Sequence, residues 1–202
     1  MSLTLRATLL IFIISVSVHA ENRTLALYSG PARGLDAESS LAMRAELQRL
    51  LEPAGLDVVW QAAPERRYGQ DFDLVAVASF DGSCSPAEVL PPISTASLAD
   101  TVITDGRVLP FFHIDCPRLI QMLGSQVAPS VLGRALGRVI AHELYHIVAH
   151  TPEHQDSGVA KAVFSISDLK NSRFAFDSWS IDRMRPPAIA NSSTVSTEAG
   201  GR

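Results

Sequence analysis

Residues 24–28 are mostly apolar and break at Ser29-Gly30-Pro31, the pattern of a strand running into a turn. The period then changes. Over residues 37–52, Leu41, Ala45, Leu47, Leu50 and Leu51 form one stripe of a helix, which Pro53 and Gly55 stop. Residues 56–61, 72–79 and 108–114 are three further short apolar runs with strand character. Between the last two, residues 83–97 are rich in Pro and Ser and read as an exposed loop over the sheet. Residues 117–123 suit a short helix, and residues 169–184 suit a final amphipathic one carrying Leu169, Phe174, Phe176, Trp179 and Ile181.

The longest helical signal lies between these two. Pro129-Ser130 supplies a start with Ser as N-cap, and Val131, Leu132, Ala135, Leu136, Val139, Ile140, Leu144, Ile147 and Val148 spread apolar surface over most of the circumference. A helix of that kind has to be buried, here against the sheet. Gly133 and Gly137, four apart, allow another element to approach it closely. Thr151-Pro152 limits its far end, because the residue before proline avoids helical geometry. The pattern predicts an α/β fold (α+β is the alternative), with a mixed sheet of four or five strands packed on the long helix. Residues 21–187 form one domain, and the Ser-, Thr- and Gly-rich residues 188–202 form a disordered tail.

The N-terminus has a separate role. Arg6 precedes an apolar run over residues 7–18, and Val18-His19-Ala20 offers small residues where signal peptidase needs them. Residues 1–20 are therefore read as a signal peptide, since the run is short for a membrane anchor. This places the chain in a secreted or periplasmic setting, with no membrane association after cleavage. A net charge of −4 without basic runs excludes a nucleic-acid surface. Glu65-Arg66-Arg67 reads as a solvated turn. Cys84 and Cys116, both in loop-like stretches, suit a disulfide in an oxidising compartment.

Candidate chemistry concentrates in His142-Glu143-Leu144-Tyr145-His146. Four residues of helix separate the two histidines by about 6 Å along the axis and set both imidazoles on one face. That is the geometry for gripping one tetrahedral zinc ion. Glu143, beside them and not a ligand, is the residue to take a proton from a metal-activated water and pass it to a leaving amine. Catalytic zinc usually has three protein ligands. His150, on a continued helix, would lie about 12 Å along the axis from His142, too far to share the ion. His154, beyond the Thr151-Pro152 break, can turn back and is the favoured third ligand, with Asp156 in reserve. Asp168, which follows Ser165-Ile166-Ser167, reads as part of a helix cap before it reads as a distant carboxylate ligand. His113 reads as a strand residue satisfied by a backbone group, and Tyr145 either faces a cleft or packs.

The run from His142 to Gly158 resembles the zincin metallopeptidases, and more closely their metzincin branch, which carries HExxH on a long helix with a third histidine soon after. The resemblance implies a twisted sheet over which the active-site helix packs, a zinc cofactor and a peptide or protein substrate aligned along an edge strand. Residues 108–114 are the candidate for that strand. In the family pattern the turn glycine would fall at Ala149 and the third ligand at Pro152, so His154 comes two residues late. Gly158-Val159-Ala160 contains no methionine for the family's Met-turn. The expected activity is that of a secreted zinc endopeptidase, the alternative being an inactive zinc-binding module of the same fold.

Overall fold

β1 (Arg23–Ser29) is buried along its middle, and α1 (Ala37–Leu51) returns the chain to β2 (Leu56–Ala62), which pairs parallel to β1 from Arg23↔Leu56 to Ser29↔Ala62. A computed structural model describes residues 22–62, 71–88 and 97–186 of the chain. The expected signal peptide, the tail, Glu65-Arg66-Arg67 and the middle of the 83–97 loop lie outside the described residues.

β3 (Leu74–Asp81) joins β1 on its other side, parallel, and β5 (Arg107–Asp115) joins β3, also parallel. β4 (Ala99–Thr104) pairs antiparallel with β5 and ends the sheet, giving the order β2-β1-β3-β5-β4. The fold is thus α/β with a five-stranded mixed sheet, within the range predicted. The edge is not where it was expected, however. The 108–114 segment lies inside the sheet, flanked by β3 and β4, and β4 takes the edge. The signal for β4 was the Asp105-Gly106 pair. Both residues adopt positive φ, 50° and 72°, which suits the tight hairpin turn between β4 and β5.

α2 (Cys116–Leu123) begins directly after β5, with Asp115 accepting from the Arg118 N–H as its cap. Cys84 and Cys116 are joined by a disulfide, fastening the loop after β3 to the start of α2. Closing 32 residues in this way contributes about 3–4 kcal/mol in the chain-entropy account. α3 (Pro129–Val148) is the long helix. It starts on Pro129, with Ala128 at the cap position and no side-chain cap, so Ser130 does not play the expected role. Proline suits the first helical position because its missing N–H is not required there.

α3 packs against the sheet and also along α1, and the two glycines explain the second contact. A Cβ at Gly133 would fall on the Ser39 carbonyl oxygen and 2.7 Å from the Ala42 Cβ. One at Gly137 would be 2.7 Å from the Met43 carbonyl. The backbones therefore touch. Beside the second glycine Arg138, fully buried, makes a 2.6 Å ion pair with Glu46 of α1. Leu25, Leu27, Ala76, Phe112 and Ile114 from the sheet meet Leu47, Leu136, Ile140 and Leu144 from the helices in one core.

The expected helix over residues 169–184 is broken in two. α4 (Ile166–Lys170) starts from a capping box between Ser165 and Asp168, and α5 (Ser178–Met184) starts at Asp177, whose side chain accepts from the Ser180 N–H. Between them Asn171 captures the Arg173 N–H, a local bond that competes with helix. The freed stretch lets Phe176 pack on Tyr145 and Phe174 on Phe164, which one continuous helix would not allow together.

Candidate metal centre

His142 and His146 project from the last two turns of α3 toward the loop that follows the helix. α3 ends in a tight reversal. Ala149 is the last right-handed residue, His150 takes the left-handed conformation at φ 49°, and Thr151 N–H returns to the His146 carbonyl at 3.1 Å. This is the helix-ending motif in which glycine is usual.

That loop orients both helical histidines. The Thr151 carbonyl accepts from His146 Nδ1 at 2.7 Å, and the Val159 carbonyl accepts from His142 Nδ1 at 2.7 Å. A carbonyl only accepts, so both protons sit on Nδ1 and both Nε2 atoms of the neutral rings carry bare lone pairs. These two Nε2 atoms are 3.2 Å apart. Two lone pairs at that distance repel, and a cation between them removes the conflict. A tetrahedral ion with metal–nitrogen bonds of about 2.0–2.1 Å sets its ligand nitrogens about 3.3–3.4 Å apart. The residues fit such an ion. The carbonyl partners on Nδ1 are the usual outer support of metal-bound histidine.

His154 completes the group. Its ring stacks on His142 with centroids 5.2 Å apart and meets His146 edge-on at 4.8 Å. Ligand atoms of His142, His146 and His154 all lie within 4.8 Å of one another. The ring arrives there because the loop closes on itself. The Gln155 N–H bonds the Ala160 carbonyl and the Val159 N–H bonds the Ala175 carbonyl, while Gly158 sits at φ 66° where a Cβ would lie 2.7 Å from Ala175 O. The three histidines can hold a metal ion. No protein-family model matches the chain, and no curated protein matches it.

Burial lowers all three imidazoles from their ordinary value, His142 to about 4, so the site is neutral and ready for a cation. In the case of His142 the Val159 hydrogen bond opposes that shift and the neighbouring histidines add to it. Glu143 lies next to His142 on the wall of a groove of about 400 Å³, whose other sides include Leu98, Ala99, Met122, Val139 and Phe164. Burial raises its carboxyl to about 7, against the pull of a hydrogen bond from Thr101 and with the Asp100 charge adding to the rise.

The other candidates separate cleanly. His150 and Asp156 are exposed and do not belong to the histidine group among the described residues. Asp168 caps α4 and pairs with Lys161 at 2.5 Å. His113 is held by the Ser79 hydroxyl at 2.6 Å, a side-chain partner in place of the expected backbone one. Tyr145 is fully buried, and its hydroxyl accepts from Gln155, so it packs and braces the loop. The residues that sequence reasoning missed are Thr101, on the unforeseen strand β4, the Thr151 and Val159 carbonyls, and Phe164, whose ring meets His142 edge-on at 5.4 Å. Carbonyl roles leave no residue-type signal, whereas the Asp-Gly turn could have found β4.

Proposed function

We propose that the chain is an exported zinc endopeptidase of metzincin-like character, with His142, His146 and His154 as ligands and Glu143 as general base and then general acid. The observation that carries this reading is the pair of bare Nε2 atoms 3.2 Å apart, one of them on His142, which lines a groove together with the adjacent Glu143. Three imidazoles suit zinc among the first-row metals, particularly in a tetrahedral site with one open position. Zinc bound there would polarise the scissile carbonyl and acidify a water.

The remaining steps belong to the chain's own groups. Glu143 accepts a proton as the water oxygen bonds to the carbonyl carbon, then delivers it to the amide nitrogen as the C–N bond breaks. A peptide can be aligned on β4, the edge strand, whose outer side has no partner strand among the described residues and which packs beside α3. The apolar groove wall of Leu98, Met122, Val139 and Phe164 offers room for a substrate side chain. The Cys84–Cys116 bridge supports an oxidising compartment, and no helix among the described residues is long and apolar enough to cross a membrane.

The test is hydrolysis of a peptide library by the purified zinc-loaded chain beside Glu143→Gln. We expect the variant to retain one zinc and to lose at least about 100-fold in turnover, the scale of general acid–base catalysis. Stoichiometric zinc without cleavage by the wild type would leave a zinc-binding module in place of an enzyme. A chain that takes up no zinc would end both readings.

A further inference from the structure

The side chain that holds Glu143 comes from the edge strand β4. Thr101 Oγ lies 2.7 Å from Glu143 Oε2 and 3.3 Å from the Glu143 carbonyl oxygen. A hydroxyl has one proton to give, and the shorter, charge-assisted partner takes it. Glu143 is 3 % exposed, so solvent does little to fix its carboxylate. Thr101 is well suited to that task, because a β-branched side chain on a strand is stiff about its first torsion. Its place in the sheet is fixed as well, because β4 keeps one register with β5 from Ala99↔Ile114 to Thr101↔Phe112, and the shift before Ile103↔Val108 is taken up by extra residues on β5.

We propose that Thr101 is a positioning residue for peptide hydrolysis, anchoring Oε2 of Glu143 so that the other carboxylate oxygen is left to serve the water at the metal. This inference rests on the peptidase reading above. It also links two parts of that reading, since the strand offered to the peptide is the one that holds the base. A peptide laid on β4 is then in register with a carboxylate fixed by the same strand.

Zinc-loaded wild type, Thr101→Val and Thr101→Ser are compared by peptide cleavage kinetics, zinc content and thermal melting. Valine keeps the shape and removes the proton donor, whereas serine keeps the donor. We expect kcat of Thr101→Val to fall about 10- to 100-fold, the usual cost of losing a supporting hydrogen bond in a metal site, with KM and zinc stoichiometry unchanged. Thr101→Ser should recover most of the loss, which a packing role would not produce. Should Thr101→Val not fold, Thr101→Ala takes its place under the same criteria. Wild-type kcat in the valine variant, or a serine variant as slow as valine, overturns the positioning role and leaves the peptidase standing. A wild type inert toward all peptides overturns the peptidase reading and this inference with it.

Discussion

His150 stands in the left-handed conformation at φ 49°, at the helix-ending position that glycine occupies most easily, and its side chain is exposed. His150→Gly should therefore raise stability by about 0.5–1 kcal/mol, read as a higher denaturant midpoint with an unchanged slope. Its neighbour in sequence logic behaves in the opposite way. His154 is also exposed, yet its ring stacks on His142 within reach of the metal position. Metal analysis should show that His154→Ala loses bound zinc while His150→Ala keeps it. The reverse result would move the third ligand to His150 and require the loop to be redrawn. The difference between these two histidines was argued from helix rise and the Thr151-Pro152 break; in the structure the helix already ends before His150, and His154 is the one grouped with His142 and His146. What the residues alone could not indicate is that Thr151, which closes the helix, also supplies the carbonyl that orients His146.

At the scale of elements, the centre depends on how closely α3 lies on α1. Gly133 and Gly137 bring the two backbones into contact, and a methyl group at Gly133 has nowhere to go, because a carbonyl oxygen and the Ala42 Cβ already fill the space. Backbone cannot yield as the end of a flexible side chain can. Gly133→Ala should cost at least about 2 kcal/mol, the upper part of the overpacking range, and a thermal melt against wild type will show it. The spacing of these glycines was legible as an invitation to close packing, but the identity of the partner was not. The apolar stripe meets the sheet as expected, and α1 receives the glycine face. The split of residues 169–184 into α4 and α5 has a similar cause. Apolar spacing suggested one helix, and the short polar side chains of Ser165, Asn171 and Asp177 redirected the backbone through local hydrogen bonds.

For the whole molecule, the buried pair between Glu46 and Arg138 joins α1 to the helix that carries His142 and His146 and makes the fold sensitive to acid. Burial by itself would raise the Glu46 carboxyl, but hydrogen bonds and charge from Arg49 and Arg138 outweigh it and hold the group below its ordinary 4.5. A carboxylate depressed on folding contributes stability that is fully present above its unfolded value and is lost as pH falls through the folded one. Stability should therefore decline from about pH 4.5 downward, in the range set by the unfolded carboxylate. Glu46→Gln should flatten that decline while lowering stability at neutral pH, where Arg138 would lose its ionic partner. Chemical denaturation at a series of pH values separates the two effects. If the acid slope is the same in the variant, this pair is not the group responsible.

The sequence by itself determined the local matters: a long buried helix with two imidazoles on one face, an acidic residue between them, a chain break that lets a third histidine return, and a pair of cysteines able to bridge. The helical features follow from spacing of a few residues and from the fixed rise of a helix, and the cysteines from their loop setting, so no distant contact was required to infer them. Tertiary structure decided the rest. Which strand lies at the sheet edge depends on pairings between segments far apart in the chain, and a single antiparallel hairpin after Asp105-Gly106 displaced residues 108–114 from that place. The hydroxyl on Glu143 and the carbonyls on His142 and His146 come from positions 42, 17 and 5 residues away. Their effect lies in where the backbone brings them, and long-range packing sets that for Thr101 and Val159, while the local turn after α3 sets it for Thr151.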